Sequence, residues 1–184
     1  KPGNLRLEEE IEDLDAEQIR RMNVYEFYAF LHDKFFIWKY TAPNRLATTR
    51  RSLERYMLEN TMDQLAYIHR CLFTFDRNDI KNGLEIVKQI QGLGASGSSG
   101  LLAVLFPNDF GTEDQFVVKA MCEIDGLPER EHLVRMNPES LTIQDGVLVI
   151  SILRRKAKEL NQAFGTNSWT PRMVDKVLWS IGRV

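Results

Sequence analysis

Residues 90–121 read I-Q-G-L-G-A-S-G-S-S-G-L-L-A-V-L-F-P-N-D-F-G-T-E-D-Q-F-V-V-K-A-M, and the fold turns on how they are parsed. Upstream, Asp79 is a fit N-cap for a helix through Ile80, Leu84, Val87 and Ile90. Gly92-Leu93-Gly94 then breaks the pattern, and Leu101–Phe106 is a second, short apolar helix stopped by Pro107. Helix, G-x-G, helix is a hairpin over 79–106. Its glycines let the backbone approach a phosphate closely, and the N–H groups at the start of the second helix can bind the anion. Thr112 and Gln115 have the spacing of a capping box, opening a further helix over 112–124 through Phe116, Val117, Ala120, Met121 and Ile124.

Working outward, the pattern stays helical. Asp15 suits the N-cap of a helix ending near Phe36. After the aromatic run 35–40 and Pro43 comes a helix with Leu46, Leu53, Tyr56 and Met57 inward and Arg45, Arg50, Arg51 and Arg55 outward. Thr61 with Gln64 forms another capping-box pattern, opening a helix through Leu65, Ile68 and Leu72. A long pattern covers Leu141–Phe164 despite Gly146, with Arg154, Arg155, Lys156 and Lys158 reading as a solvated face. Thr170-Pro171 starts a last helix with Val174, Val177, Leu178 and Ile181 inward. Strand alternation is absent, so the reading is all-α. Residues 1–14 form a polar acidic lead-in and 15–184 one helical domain.

Composition narrows the function classes. The chain of 184 residues has a formal charge of −2, ordinary for a water-exposed globular protein. That value hides an asymmetry: residues 1–26 hold four basic against eight acidic residues, whereas 27–60 hold six basic against three acidic. A local basic face is therefore permitted. No apolar run approaches the roughly 20 residues a membrane helix needs. The opening K-P-G-N-L-R-L-E-E-E does not read as a secretory signal. Cys71 and Cys122 lie far apart in apolar patterns, as buried free thiols of a reducing cytoplasm would. His32, His69 and His132 are scattered and show no metal-ligand spacing, so no metal or cofactor is expected.

The hairpin and the interval from Gly94 to Asp114 resemble the helix-hairpin-helix DNA glycosylase superfamily over residues 80–125. There a G-[IV]-G turn is followed at about this interval by a catalytic aspartate, commonly in V-D-x-x-V; the words here are T-E-D-Q-F-V. The resemblance implies two helical lobes with a cleft between them. It also implies excision of a modified or damaged base flipped from double-stranded DNA. Asp114 would stabilise the positive charge on the sugar and activate water, with Glu113 as fallback. Gly92, Leu93, Gly94 and Ser96 would hold a DNA phosphate. Members with lyase activity carry a lysine two residues after the second glycine, where this chain has Ser96, so a monofunctional hydrolase is implied. The family's iron–sulfur cysteines are also absent, and an unusual substrate such as an alkylated base or the modified cytosines of phage DNA follows, with roles in DNA repair or phage defence. The aromatic residues Phe35, Phe36, Trp38 and Tyr40 are candidates for the base pocket, and Lys39, Arg45, Arg50 and Arg51 for DNA backbone contacts. Localisation would be cytoplasmic and nucleoid-associated, with no membrane and no obligate protein partner. Two alternatives stand beside this: a non-catalytic DNA-binding module that kept the hairpin, and a helical protein-interaction domain.

Overall fold

The computed structural model describes residues 2–183, with side chains from Arg6 onward, and among the described residues it is helical without strands. The acidic lead-in is a helix, α1 (Pro2–Glu12), anchored by buried Ile11. The helix expected from Asp15 to Phe36 is interrupted. α2 (Ala16–Arg21) ends, and Asn23 with Glu26 forms a capping box that starts α3 (Val24–Phe30). One π-helical stretch over Leu31–Phe35 carries the chain into α4 (Phe36–Lys39). Pro43 is not a breaker but the first residue of α5 (Pro43–Leu58), where its missing N–H has no intrahelical role. α6 (Met62–Leu72) begins without the expected capping box: Thr61 Oγ1 is buried and has no hydrogen-bond partner.

Two helices flank the glycine turn, the second starting at Ala95 and not at the expected Leu101. α7 (Ile80–Lys88) is capped by Asp79 through Asn82 N–H, and α8 (Ala95–Leu105) follows the glycine turn. α9 (Gln115–Cys122) is capped by Asp114, whose Oδ1 accepts from Phe116 N–H at 3.0 Å. The Thr112/Gln115 box does not form, because Asp175 takes the Thr112 hydroxyl. A short α10 (Arg130–Arg135) follows α9. α11 (Ile143–Phe164) and α12 (Pro171–Gly182) complete the chain, with Thr170 capping α12 as expected.

Two apolar clusters organise these helices. The first gathers α1–α8 with Phe110 and Ile150; the second gathers α9–α12. α11 feeds both, since Ile150 enters the first while Val149, Ile152 and Leu153 enter the second. α8 is the most deeply enclosed element, with every residue from Gly97 to Leu105 buried. Its small residues are explained by packing. A Cβ at Gly97 would strike the Tyr40 hydroxyl, and one at Gly100 would lie 3.2 Å from Cδ of Lys39. Glycine costs a helix about 1 kcal/mol at each position relative to alanine, offset here by the close approach of α4 to α8.

Candidate active site

The 111–114 segment is fixed from two sides. Asp175 of α12 accepts Thr112 N–H at 2.6 Å and Thr112 Oγ1–H at 2.9 Å, and takes Arg172 Nη1 at 2.8 Å. Ser99 of α8 accepts Glu113 N–H at 2.8 Å. Gly111 admits this arrangement, because a Cβ there would lie 2.5 Å from Leu153 Cδ1 and 3.1 Å from Asp175 Oδ2. Burial pushes the Asp175 carboxyl upward, while Arg172 and the two Thr112 bonds act the other way. In sequence Asp175 reads as a helix-surface acid; in fact it is 1 % exposed and organises the junction.

Asp114 emerges from this junction with one oxygen spent on the α9 cap and the other, Oδ2, 4.0 Å from Nζ of Lys39. Its side chain is 23 % exposed. Lys39 corrects an expectation: it is no surface contact for DNA backbone but a buried amine at the end of α4, packed on Gly100. Burial is the first cause lowering its pKa; Arg172 acts the same way, and Asp114, Asp175 and Glu113 oppose. Trp38 lies under the Arg172 guanidinium at 5.3 Å and donates from Nε1 to Glu8 at 2.6 Å. Glu8 also stands 3.7 Å from Arg172, and Glu12 pairs with Lys176, so acidic α1 lies alongside the cluster.

The aromatic base-pocket expectation fails at three of its four residues, Phe35, Phe36 and Tyr40, which are buried in the core. Phe35 and Phe36 are fully buried and pack against each other at 6.1 Å in the first core, leaving no face for a base. Tyr40 is buried against α8, its phenol pushed up to about 12 by burial, and Trp38 is half-buried between Arg172 and Phe35. Glu113 cannot serve as the fallback carboxylate. It is wholly buried between Leu84 and Gly146, neither oxygen has a hydrogen-bond partner, and burial pushes its pKa to about 8, with Asp145 reinforcing and Lys39 opposing. At neutral pH it is an uncharged acid.

The hairpin turn divides its labour. Gly92 has φ +97 and sits on α5, with its would-be Cβ 2.7 Å from the Thr49 carbonyl oxygen; it is required by the protein. Leu93 is buried, and its N–H is spent on Ile90 O at 3.0 Å, so it cannot hold an anion by that group. Gly94 differs. It is exposed, has unstrained φ −94, and has nothing within 4 Å of a would-be Cβ, while α8 starts there without a side-chain cap. The first-turn N–H groups of Ala95, Ser96 and Gly97 lack intrahelical acceptors. Ser96 is half-buried, and its carbonyl accepts from Ser99 Oγ at 3.0 Å. Arg45 and Arg51 are exposed on α5, the helix that meets the turn through Thr49. Arg50 is instead committed to His32 O at 2.9 Å.

Gly94→Ala is thus expected to change stability by no more than about 1 kcal/mol, since the backbone and space both accept a methyl and the entropy gained offsets the poorer N-cap. Gly92→Ala is expected to cost about 1–3 kcal/mol through positive φ and the Thr49 contact. Chemical denaturation of the pair checks the contrast. If the N–H groups after Gly94 hold phosphate, Gly94→Ala also weakens duplex binding while Tm is nearly unchanged.

No family model, no curated protein and no solved structure matches the chain. The glycosylase resemblance therefore rests on residues 80–125 alone. Among the described residues no helix is long and apolar enough to cross a membrane, and no cluster of His, Cys, Asp and Glu has the makings of a metal site.

Proposed function

We propose that the protein is a monofunctional DNA glycosylase, releasing a modified base from duplex DNA by hydrolysis at Asp114. The observation that carries this reading is the Asp114 side chain: one oxygen anchored, the other without a hydrogen bond and 4.0 Å from the Lys39 amine, and partly open to solvent. A carboxylate held so can face the positive charge that develops on the sugar as the base departs, and can take a proton from water. The two apolar clusters support two lobes, with Lys39, Asp114, Arg172 and Asp175 at their junction and the flipped base entering a cleft there. The DNA partner, a modified cytosine of phage DNA as substrate, and a place at the nucleoid in the cytoplasm belong to the same proposal.

The test is abasic-site formation on a panel of modified duplexes and modified phage DNA, comparing the native chain with Asp114→Asn. Salt-sensitive duplex binding without base release from any substrate would leave a binding module in place of an enzyme.

The buried amine favours a second reading. Lys39, 4.0 Å from Asp114, stands where an amine could attack the sugar carbon in place of water. Borohydride reduction during turnover separates the two. A trapped protein–DNA adduct that disappears in Lys39→Gln supports the amine, and free abasic product with no adduct supports water.

A further inference from the structure

Away from Asp114, a cavity of about 400 Å³ opens between the C-terminal half of α11 and the loop leading into α12. Its wall includes Arg154, Lys158, Asn108, Gln162 and Asn167, and no carboxylate. Arg154 is built in. Its Nε donates to Asp109 O at 2.6 Å, its Nη2 donates to Arg77 O at 2.7 Å, and its guanidinium lies over the Phe110 ring at 4.9 Å. Nη1 makes no hydrogen bond to the described residues, so a fixed cation keeps donors free. Of the acids nearby, Asp109 is held by Arg77 at 3.5 Å and Glu159 by Lys156 at 2.6 Å and Arg155 at 3.5 Å, while Asp76 has no ion pair among the described residues and accepts from Asn78 N–H at 2.9 Å and Asn78 Nδ2 at 3.0 Å. Lys158 has no ion pair among the described residues. The side-chain amides of Asn108, Gln162 and Asn167 likewise have no partner there.

The loop that closes the cavity is pinned rather than loose. Asn161 donates from Nδ2 to Trp169 O at 2.8 Å and accepts Trp169 N–H at 2.9 Å and Thr166 Oγ1–H at 3.1 Å. The C-terminus of α11 points partial negative charge toward this end of the helix. It is blunted where Gly165 and Thr166 N–H groups both bond the Asn161 carbonyl. A recess with two cations, free amide donors and no acid fits an anion with several acceptor oxygens.

We infer that this cavity binds a phosphate group. It does so independently of the hairpin and of Asp114. The same chemistry is offered by a free phosphomonoester and by the backbone of DNA, and the two are separable by experiment.

The probe is a nitrogen-15 NMR titration of the full chain in chloride buffer, with inorganic phosphate in one arm and a short unmodified duplex in the other. The side-chain amide signals of Asn108, Gln162 and Asn167 and the Arg154 Nε signal are expected to shift saturably. Lys158→Ala, an exposed change that leaves the fold intact, is expected to weaken binding about fivefold, the effect of one exposed charge contact. Shifts with phosphate alone assign a phosphomonoester, whereas shifts with the duplex assign a DNA-backbone contact. Shifts that do not saturate in either arm, or binding that is indifferent to Lys158→Ala, overturn the inference. Because the hairpin signals at Gly94–Gly97 are read in the same spectra, failure of this cavity is distinct from failure of the hairpin to hold DNA.

Discussion

Asp114→Asn is expected to lower the rate of base release by about 100- to 1,000-fold, the effect of removing one preorganised electrostatic contact in an active site. The substitution is informative because asparagine preserves the structural duty of Asp114 at the start of α9. Its Oδ1 caps α9 through Phe116 N–H, and asparagine is as good an N-cap as aspartate. The preceding residues Thr112 and Glu113 are held by Asp175 and Ser99, independently of the Asp114 charge. With the cap kept, any fall in Tm reports the lost 4.0 Å contact with Lys39, while catalysis falls far more steeply. Asp114→Ala would add a lost cap, about 1 kcal/mol, and blur the two effects. Base release by Asp114→Asn at the native rate would remove Asp114 from the mechanism. It would also remove the feature on which the glycosylase reading rests.

What the sequence disclosed, and what it withheld, follows from the range of each interaction. α7, α8, α11 and α12 are legible because their signals are local: Asp79 and Thr170-Pro171 as caps, Pro107 as a stop, and apolar periodicity between them. The site is largely illegible because its parts are brought together across the fold. Lys39 meets Asp114, and Asp175 meets Thr112, through contacts no spacing rule encodes. Small residues misled the inward assignment of α12. Val177 and Ile181 are exposed, whereas Asp175 and Gly182 turn toward the protein. Apolar periodicity alone cannot see a face whose packing depends on glycine and a buried acid. The same blindness hid the value of A-S-G-S-S-G. Gly97 and Gly100 weaken the local helix signal, yet they make room for Tyr40 and Lys39. The capping boxes show a subtler failure. Asn23 with Glu26 forms one, while Thr112 with Gln115 does not, because a buried carboxylate 63 residues away competes for the threonine.

Glu113→Gln is expected to abolish a large part of the pH dependence of stability. The Glu113 carboxyl titrates at about 8 in the folded chain against 4.5 as its ordinary value. Below the ordinary value both folded and unfolded chains hold the proton, and the group contributes nothing to the slope. Between the two values only the unfolded chain releases it, so stability falls as pH rises. Above about 8 both forms are ionised and the loss levels off. The interval corresponds to a loss on the order of 5 kcal/mol, large against a typical folding free energy. Asp145, which pushes the group up, and Lys39, which opposes, both face it, and Asp175 and Lys39 titrate abnormally on their own account. The quantity to measure is therefore the difference between native and Glu113→Gln stabilities by urea denaturation from pH 4 to pH 9. That difference should tilt progressively against the native chain through neutral pH, because glutamine carries no proton to release. Parallel curves would mean that Glu113 finds a partner or solvent on ionisation. The enclosed, unpaired carboxyl at Gly146 would then not be the resting state of the junction that presents Asp114.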